Sequence, residues 1–339
     1  MSDTRPGYFV RALWCALALM GLMSGVAVAG EPKADKRAVS ELALLRSLPV
    51  EVVERWRGGS ADARGYVGFQ QQQKEFEAGN QRGGMYTMAM GVVLKRQPWI
   101  DEGWLVAEAT FAHQQEDGSL GDVANDKATT NAFFLCWFAR AMSLLAESGP
   151  SEADQKRVKA IRDKWVKAIT WLGSQQVALL RENGKSPNRL LIAANAFVLS
   201  GMVLRSDDMI TAGRFYITKA LACYNAEEGF FIEHGGGDSS YQATNIIALL
   251  YLQMRLPDPQ WAVTLRQALA WQVARIDANG EVSIAGNSRT GNGQEVYRGK
   301  PKGINHTEVI QSLVIGGTWA GDHAAVAAGL RVHGNKYGK

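Results

Sequence analysis

The residue types best suited to chemistry are concentrated in three polar segments of the 339-residue chain, at 186–189, 230–245 and 286–302. Together these segments supply amide, imidazole, phenol, carboxylate and guanidinium groups. Such groups can transfer protons, or bind an anion through charge-assisted hydrogen bonds. We expect the three segments to converge on one site.

The first segment is typical of a helix start, because Ser186 can cap the helix and a proline suits its first turn. Asn188 and Asn195 then share a face that is otherwise apolar. A buried amide needs a hydrogen-bond partner, either on a neighbouring helix or on a ligand. We assign Asn188 to the catalytic site and Asn195 to a neighbouring helix, and Arg189 is a candidate for substrate binding.

The second segment combines Glu233, His234, Tyr241 and Asn245 with three consecutive glycines, which let the backbone approach a ligand closely. Asp238 follows the glycines, and its position predicts a helix cap. Tyr241 then lies in the first helical turn, with Asn245 one turn later on the same side. We assign His234 and Tyr241 to catalysis, and Glu233 and Asn245 to substrate binding.

The third segment places Arg289 among glycines and continues through Tyr297 and Arg298 to Lys300 and Lys302. A guanidinium held in this way can bind a carboxylate through two hydrogen bonds. Arg289 is therefore the predicted carboxylate ligand. Tyr297 and Arg298 are candidates for substrate binding, with Tyr297 as the second choice for the catalytic tyrosine. The two lysines are expected to be solvated.

These groups fit β-elimination from a uronic acid polymer. The proton at C5 of a uronate becomes acidic only when the adjacent carboxylate charge is neutralised, and Asn188 with Arg289 or His234 can stabilise the developing dianion. A base must then remove the proton, and an acid must protonate the leaving glycosidic oxygen. Tyr241 can do either if a nearby cation lowers its pKa. The sequence contains no metal-binding motif, and we expect neither metal nor cofactor.

The order of these motifs resembles that of the secreted α/α-toroid polysaccharide lyases that act on alginate or glucuronan-type polyuronates. The resemblance covers residues 80–315 and is carried by Asn188-Arg189, by the run 233–242 and by the run 287–291. It implies a metal-independent lyase with an Asn/His/Arg neutraliser and a tyrosine acid or base. Several toroid lyases carry a histidine beside the asparagine. This chain lacks it, so His234 or His306 would have to serve.

Two other function classes stay open at this point. A toroid glycoside hydrolase would use two carboxylates across the scissile bond, and Glu233 with Asp238 or Glu295 could supply them. A non-catalytic glycan-binding or envelope protein is the third interpretation. Only the lyase leaves a C4–C5 double bond that absorbs in the ultraviolet.

The elements that must position these residues are predicted to be helices. Apolar residues recur at helical spacing through most of the chain, and strand-like alternation is short and rare. The sequence therefore predicts an all-α fold with one long loop or small β element near 278–305, where 281–284 could form a strand. The predicted helices span 39–57, 83–97, 99–114, 127–147, 152–179, 187–205, 207–225, 239–255, 258–277 and 306–331.

Several of these helices are apolar on more than one side, as in 132–138 and 246–252. Such helices need neighbours on several faces, which favours a double-layered α/α toroid whose inner helices line a cavity. Three glycine turns, at 114–120, 225–230 and 277–282, are predicted to be equivalent corners of it. An open solenoid of helix pairs is the alternative, although no fixed-period repeat supports it.

Residues 1–29 are predicted to be a signal peptide, because two arginines precede an apolar stretch that ends Ala27-Val28-Ala29. We therefore expect residues 30–339 to form a single catalytic domain that is periplasmic or secreted, with no stable membrane anchor after cleavage. The formal net charge is only +4 and no basic run occurs, which argues against nucleic-acid binding. The expected partner is an anionic polysaccharide.

Two cysteines follow the predicted signal peptide, Cys136 and Cys223. An exported protein can join them in a disulfide, but free cysteine also behaves as a small core residue. The sequence leaves both alternatives open.

Overall fold

The computed structural model describes residues 39–68, 76–121, 126–297 and 299–338. These residues belong to one compact unit. The predicted signal peptide at 1–29 lies outside the described residues, and so does Arg298.

Helices dominate the described residues, which confirms the predicted all-α fold. The helices are α1 (Glu41–Arg46), α2 (Val50–Glu54), α3 (Arg82–Leu94), α4 (Gln97–Ala112), α5 (Lys127–Ser148), α6 (Glu152–Ser174), α7 (Gln176–Asn183), α8 (Pro187–Leu204), α9 (Asp207–Leu221), α10 (Ser239–Arg255), α11 (Pro259–Ala274), α12 (His306–Ala320) and α13 (His323–Tyr337). A short 3₁₀ helix, Ala78–Gln81, precedes α3.

Two small antiparallel hairpins accompany the helices. They pair β1 (Tyr224–Asn225) with β2 (Phe230–Phe231), and β3 (Val296–Tyr297) with β4 (Lys300–Pro301). The second hairpin confirms the β element predicted near 278–305. The strand predicted at 281–284 is wrong, because only Val282 of that stretch pairs, in an isolated bridge with Ile276.

Three predicted helices are each divided in two. The predicted helix 39–57 breaks before Pro49, which lacks the N–H that a continuous helix needs at this point. The helix 306–331 breaks at Gly321, whose φ of 68° ends α12 in the left-handed region, and Asp322 then caps α13. The helix 152–179 breaks at Gln175, between α6 and α7.

Five helices pack side by side in chain order: α3, α5, α8, α10 and α12. We call them the inner helices. The helix that follows each of them in the sequence packs against it, and we call these five, α4, α6, α9, α11 and α13, the outer helices. All five inner helices contribute to one cavity of about 10 Å³, which is at the lower limit of the space that a single water needs. The toroid itself stays a prediction.

Helix α8 shows why the inner helices are apolar on several faces. It is long and apolar enough to cross a membrane, but 83% of it is buried inside the protein. Helices α5, α9 and α10 all contact it. Its composition is therefore that of a core helix with neighbours on several sides.

The inner helices begin at the same end of the unit, which we call the N-terminal rim. It consists of their first-turn and capping residues. Four contacts lie at or just before neighbouring starts. Gly79, in the 3₁₀ helix before α3, lies against Thr130 of α5, and Asn183, the last residue of α7 before α8, donates to Thr129 of α5 at 2.8 Å. The Asn188 N–H of α8 approaches Glu233 in the segment before α10 at 3.5 Å, and the Asn305 N–H before α12 donates to Ser240 of α10 at 3.0 Å.

The three predicted glycine corners are built alike. Gly118, Gly229 and Gly280 have φ of 101°, 82° and 83°, which favours glycine, and each follows an outer helix. Each turn is closed by strand-like pairing: Gln114 with Leu120, Asn225 with Phe230, and Ile276 with Val282. The three turns therefore share one local geometry, and their place as corners of a toroid stays a prediction.

Both cysteines are free thiols. Cys136 is buried in α5, and Cys223 is half-buried after α9. Of the two alternatives, the structure therefore has unpaired thiols rather than a disulfide.

Candidate active site

Asp238 fixes the geometry of the candidate site. Its side chain is fully buried and caps α10 by accepting from the N–H groups of Ser240 (3.0 Å) and Tyr241 (3.1 Å). It also accepts from the N–H groups of Arg289 (3.0 Å) and Thr290 (2.7 Å) and from the Thr290 hydroxyl (2.8 Å). The predicted cap is confirmed. Because both oxygens are used in this way, Asp238 is unsuited to be one of the hydrolase carboxylates.

Asn287 fastens the loop that carries Arg289 to the start of α10. Its Oδ1 accepts from the Ser239 N–H (3.1 Å) and from Arg275 Nη2 (2.9 Å), and its Nδ2 donates to the Thr290 carbonyl (3.1 Å). Asn287 is 4% exposed. Its role is therefore to hold the loop.

The Tyr241 hydroxyl lies between a cation and a carboxylate. Lys302 Nζ lies 2.5 Å from the hydroxyl oxygen, and the hydroxyl donates to both oxygens of Glu295 at 2.9 Å. The Arg289 guanidinium carbon lies 4.0 Å from the centre of the ring, within cation–π range. Two cations and one carboxylate therefore surround a phenol that is only 9% exposed.

Arg289 bridges two carboxylates. Its Nη1 donates to Glu233 and its Nη2 to Glu295, both at 3.2 Å. Side-chain exposure decreases from Lys302 (32%) through Glu295 (22%) and Arg289 (12%) to Glu233 (0%). An incoming ligand therefore meets Lys302 and Glu295 first, and Glu233 lies beneath Arg289.

Glu233 is a buried carboxyl with weak hydrogen-bond support. The Asn188 N–H and the Asn245 side-chain amide approach its Oε1 only at 3.5 Å. Burial raises its pKa to about 7, although the Arg289 charge opposes the rise. Glu233 is fully buried and accepts from Arg289, so its role is to hold the Arg289 guanidinium in position. This burial does not fit the predicted direct contact between Glu233 and the substrate.

The two asparagines beside Glu233 each carry a buried oxygen without a partner. Asn188 Oδ1 and Asn245 Oδ1 accept no hydrogen bond within the described part of the chain. Unpaired buried acceptors are costly and mark places where a ligand or water donor belongs. Asn195 Oδ1 likewise lacks a partner among the described residues, but the Asn195 amide donates to the carbonyls of Leu191 and Ala248, both at 2.8 Å, as expected for a contact with a neighbouring helix.

The pKa values of Tyr241 and Glu295 move in opposite directions. Burial raises the pKa of Tyr241 well above its usual value, more than the Arg289 charge lowers it. The Arg289 charge thus acts on the Tyr241 pKa in the direction that the sequence analysis required, but burial outweighs it and the net pKa is raised. Burial also pushes the pKa of Glu295 upward, but the Tyr241 hydrogen bond and the charges of Lys302 and Arg289 hold it below its usual value. In the hydrogen bond between them, the Tyr241 hydroxyl is therefore the donor and the Glu295 carboxylate the acceptor.

His234 belongs to the same neighbourhood. Its φ of 52° is unusual for a non-glycine residue, and its Nε2 lies 3.2 Å from Ser186 Oγ. Burial, followed by the charges of Arg289 and Arg189, lowers its pKa. The structure thus brings His234, Tyr241 and Arg289 together, as predicted, with His234 in its neutral form at neutral pH.

The other predicted residues have different positions. Arg189 lies on the N-terminal rim, where it donates to Asn183 (3.1 Å) and faces Asp126 (3.9 Å). His306 instead lines a cavity of about 260 Å³ with residues of α13 and the turn at 280–281, and no described contact joins it to Arg289 or Tyr241. It is therefore not placed to serve as the second histidine. Tyr297 lies in β3.

Lys302 is the main residue that sequence reasoning missed. It was expected to be solvated, as Lys300 is, but it contacts Tyr241. The hairpin explains this, because Val296 pairs with Pro301 and the Lys302 N–H donates to the Glu295 carbonyl at 2.8 Å. Glu295 and Lys302 carry opposite charges and lie opposite each other, one just before β3 and the other just after β4. That spacing was the available signal.

Comparisons of the chain with protein-family models, with curated proteins and with solved structures find no match. Within the described residues, no group of three or more His, Cys, Asp or Glu side chains is placed to hold a metal ion. The fold and the site define an all-helical protein with a tyrosine, lysine, arginine and carboxylate cluster at one end of its inner helices.

Proposed function

We propose that the protein is a periplasmic or secreted polysaccharide lyase that cleaves uronic-acid-containing polymers of the alginate or glucuronan type by β-elimination. The observation that carries the proposal is the position of the Tyr241 hydroxyl. It lies 2.5 Å from Lys302 Nζ and hydrogen-bonds Glu295, while Arg289 stacks on its ring. This places a proton donor, a proton acceptor and two cations around one point.

The charge of the cluster favours an anionic sugar. Arg289 and Lys302 are cationic and Glu295 is anionic, whereas Glu233 has a pKa of about 7. With Glu233 protonated, the cluster carries one excess positive charge. A uronate carboxylate can then accept hydrogen bonds from the Arg289 guanidinium and the Asn188 amide. These hydrogen bonds neutralise the carboxylate charge and make the C5 proton acidic.

The elimination balances without any outside proton carrier. Glu295 takes the C5 proton, the C5–H electron pair becomes the C4–C5 double bond, and the C4–O bond breaks. Tyr241 donates its proton to the departing glycosidic oxygen, while Lys302 stabilises the resulting phenolate. The proton on Glu295 then returns to Tyr241 through their 2.9 Å hydrogen bond, which restores both groups. His234 lies beside the site as a neutral hydrogen-bonding group.

We also infer that the inner and outer helices form the expected α/α toroid. The inner helices contact one another in chain order, all five line the same small cavity, and their starts meet at the N-terminal rim. A ring of inner helices accounts for these three observations together. The candidate site then lies at the mouth of the ring.

A glycoside hydrolase is the second candidate. Glu233 and Glu295 are both bound to Arg289, and their pKa values move apart, which is the pattern of a general acid and its ionised partner. The complete burial of Glu233 weighs against it, because a general acid must reach the glycosidic oxygen. The lyase assignment requires no such contact from Glu233.

The purified protein should be incubated with alginate, glucuronan, pectate and glycosaminoglycans while ultraviolet absorbance is followed. A lyase gives a rising absorbance on at least one polyuronate. New reducing ends without absorbance identify a hydrolase, and binding without either product identifies a glycan-binding protein. Amino-terminal sequencing of the exported protein tests the expected start near Gly30.

A further inference from the structure

A second polar cluster lies on the N-terminal rim beside Tyr241. Thr244 follows Tyr241 by three positions on α10, and its hydroxyl donates to Glu308 Oε2 in the first turn of α12 at 2.6 Å. Arg82, at the start of α3, lies close enough to Glu308 to act on it electrostatically, and so does Lys302. The cluster of Thr244, Glu308 and Arg82 thus extends the candidate site across three inner helices.

Arg82 is held in place but keeps an uncompensated charge. Its guanidinium lies 4.8 Å from the centre of the Phe133 ring, and its Nη1 donates to the Gly79 carbonyl at 3.1 Å. Among the described residues, no carboxylate lies within ion-pairing distance of it. Burial raises the pKa of Glu308, which favours its neutral form, so that its charge does not offset that of Arg82. An anion is the ligand that such a site lacks.

We propose that Arg82, Glu308 and Thr244 form a second sugar subsite, which binds the uronate residue next to the one held by Arg289. This rests on the proposed function. Arg82 binds the carboxylate of that sugar, and the Glu308 and Thr244 side chains bind its hydroxyl groups. The subsite favours polymers in which consecutive sugars both carry a carboxylate over polymers in which uronates alternate with neutral sugars.

The test compares the affinity of the wild-type full chain and the Arg82→Gln variant for a glucuronate trisaccharide. We expect the dissociation constant to rise about tenfold or more, because a charge-assisted hydrogen bond is lost. Arg162→Gln is the matched control, since it removes the same charge from an exposed arginine that contacts the Leu204 carbonyl at the far end of α8. Arg82→Lys keeps the charge without the planar fork and should give an intermediate loss.

The outcomes separate this inference from the proposed function. Equal affinity of Arg82→Gln and Arg162→Gln for the trisaccharide overturns the subsite. Trisaccharide binding that depends on Arg82, without any unsaturated product from polyuronates, overturns the lyase and leaves the subsite standing. A wild-type protein that does not bind the trisaccharide overturns the subsite, whereas the lyase is overturned only if no polyuronate yields an unsaturated product. Should Arg82→Gln fail to fold, the affinities of Arg82→Lys and wild type for the trisaccharide are compared instead, and equal affinities overturn the subsite.

Discussion

Replacing Tyr241 with phenylalanine removes one hydroxyl from the centre of the candidate site. The ring remains, so Arg289 keeps its cation–π contact at 4.0 Å. Lys302 and Glu295 also keep each other as partners, since Lys302 Nζ lies 3.4 Å from Glu295 Oε1, and both side chains reach solvent. The hydroxyl contributes about 1 kcal/mol per hydrogen bond to folding, so the melting temperature should fall by a few degrees at most.

Turnover should respond far more strongly than stability. If Tyr241 donates the proton to the leaving oxygen, kcat on polyuronates should fall by about 10²-fold to 10⁴-fold, the scale of lost acid–base assistance. This corresponds to about 3–5 kcal/mol of transition-state stabilisation. The assay is the initial rate of ultraviolet absorbance with polymer in excess, combined with thermal unfolding of the same samples.

The matched control is Tyr224→Phe, which removes a phenol hydroxyl that contacts Gln267 (3.1 Å) of an outer helix. This variant should keep wild-type turnover. If Tyr241→Phe also keeps wild-type turnover on polyuronates, Tyr241 is a packing residue on the helix face and the mechanism is refuted. Tyr297 then becomes the candidate for the catalytic tyrosine.

Three further predictions concern the neighbours of Tyr241. Arg289→Lys keeps the charge but loses the fork that joins two carboxylates, so KM should rise and kcat should fall in steady-state assays. Folding raises the pKa of Glu233 from 4.5 to about 7, so the stability that its protonated form contributes is full below pH 4.5 and is lost as the pH rises through 7. The melting temperature of the wild type should therefore fall between these pH values, and that of Glu233→Gln should not. Asp238→Ala removes five hydrogen bonds from α10 and the Arg289 loop, and denaturant unfolding should show a loss of about 3 kcal/mol or more. Asp238→Asn should lose less, whereas equal stability of wild type and Asp238→Ala would remove Asp238 from its organising role.

Local chemistry explains which structural features could be predicted from the sequence. Helical periodicity gave the helices, and the position of Asp238 after three glycines gave the cap, because both depend on neighbours within a few residues. The turns at Gly118, Gly229 and Gly280 were predictable for the same reason. The proximity of His234 to Arg289 followed from the expectation that the polar segments converge on one site.

The remaining features depend on contacts between distant segments. Lys302 reaches Tyr241 only because the β3–β4 hairpin has a particular register, which two-residue strands do not reveal in sequence. The complete burial of Glu233 follows from the packing of α8 and α10 around it, so its role beneath Arg289 could not be read from its position in a polar run. His306 was misplaced because the start of α12 faces α13 at that residue.

The central claim is that this site breaks a glycosidic bond by elimination. The most direct test counts unsaturated ends, by ultraviolet absorbance, and new reducing ends, by a chemical assay, in one reaction of the purified protein on glucuronan or alginate. If the site acts by elimination, the two counts rise together in equal numbers, and both are lost in Tyr241→Phe. Reducing ends that accumulate without unsaturated ends would contradict it.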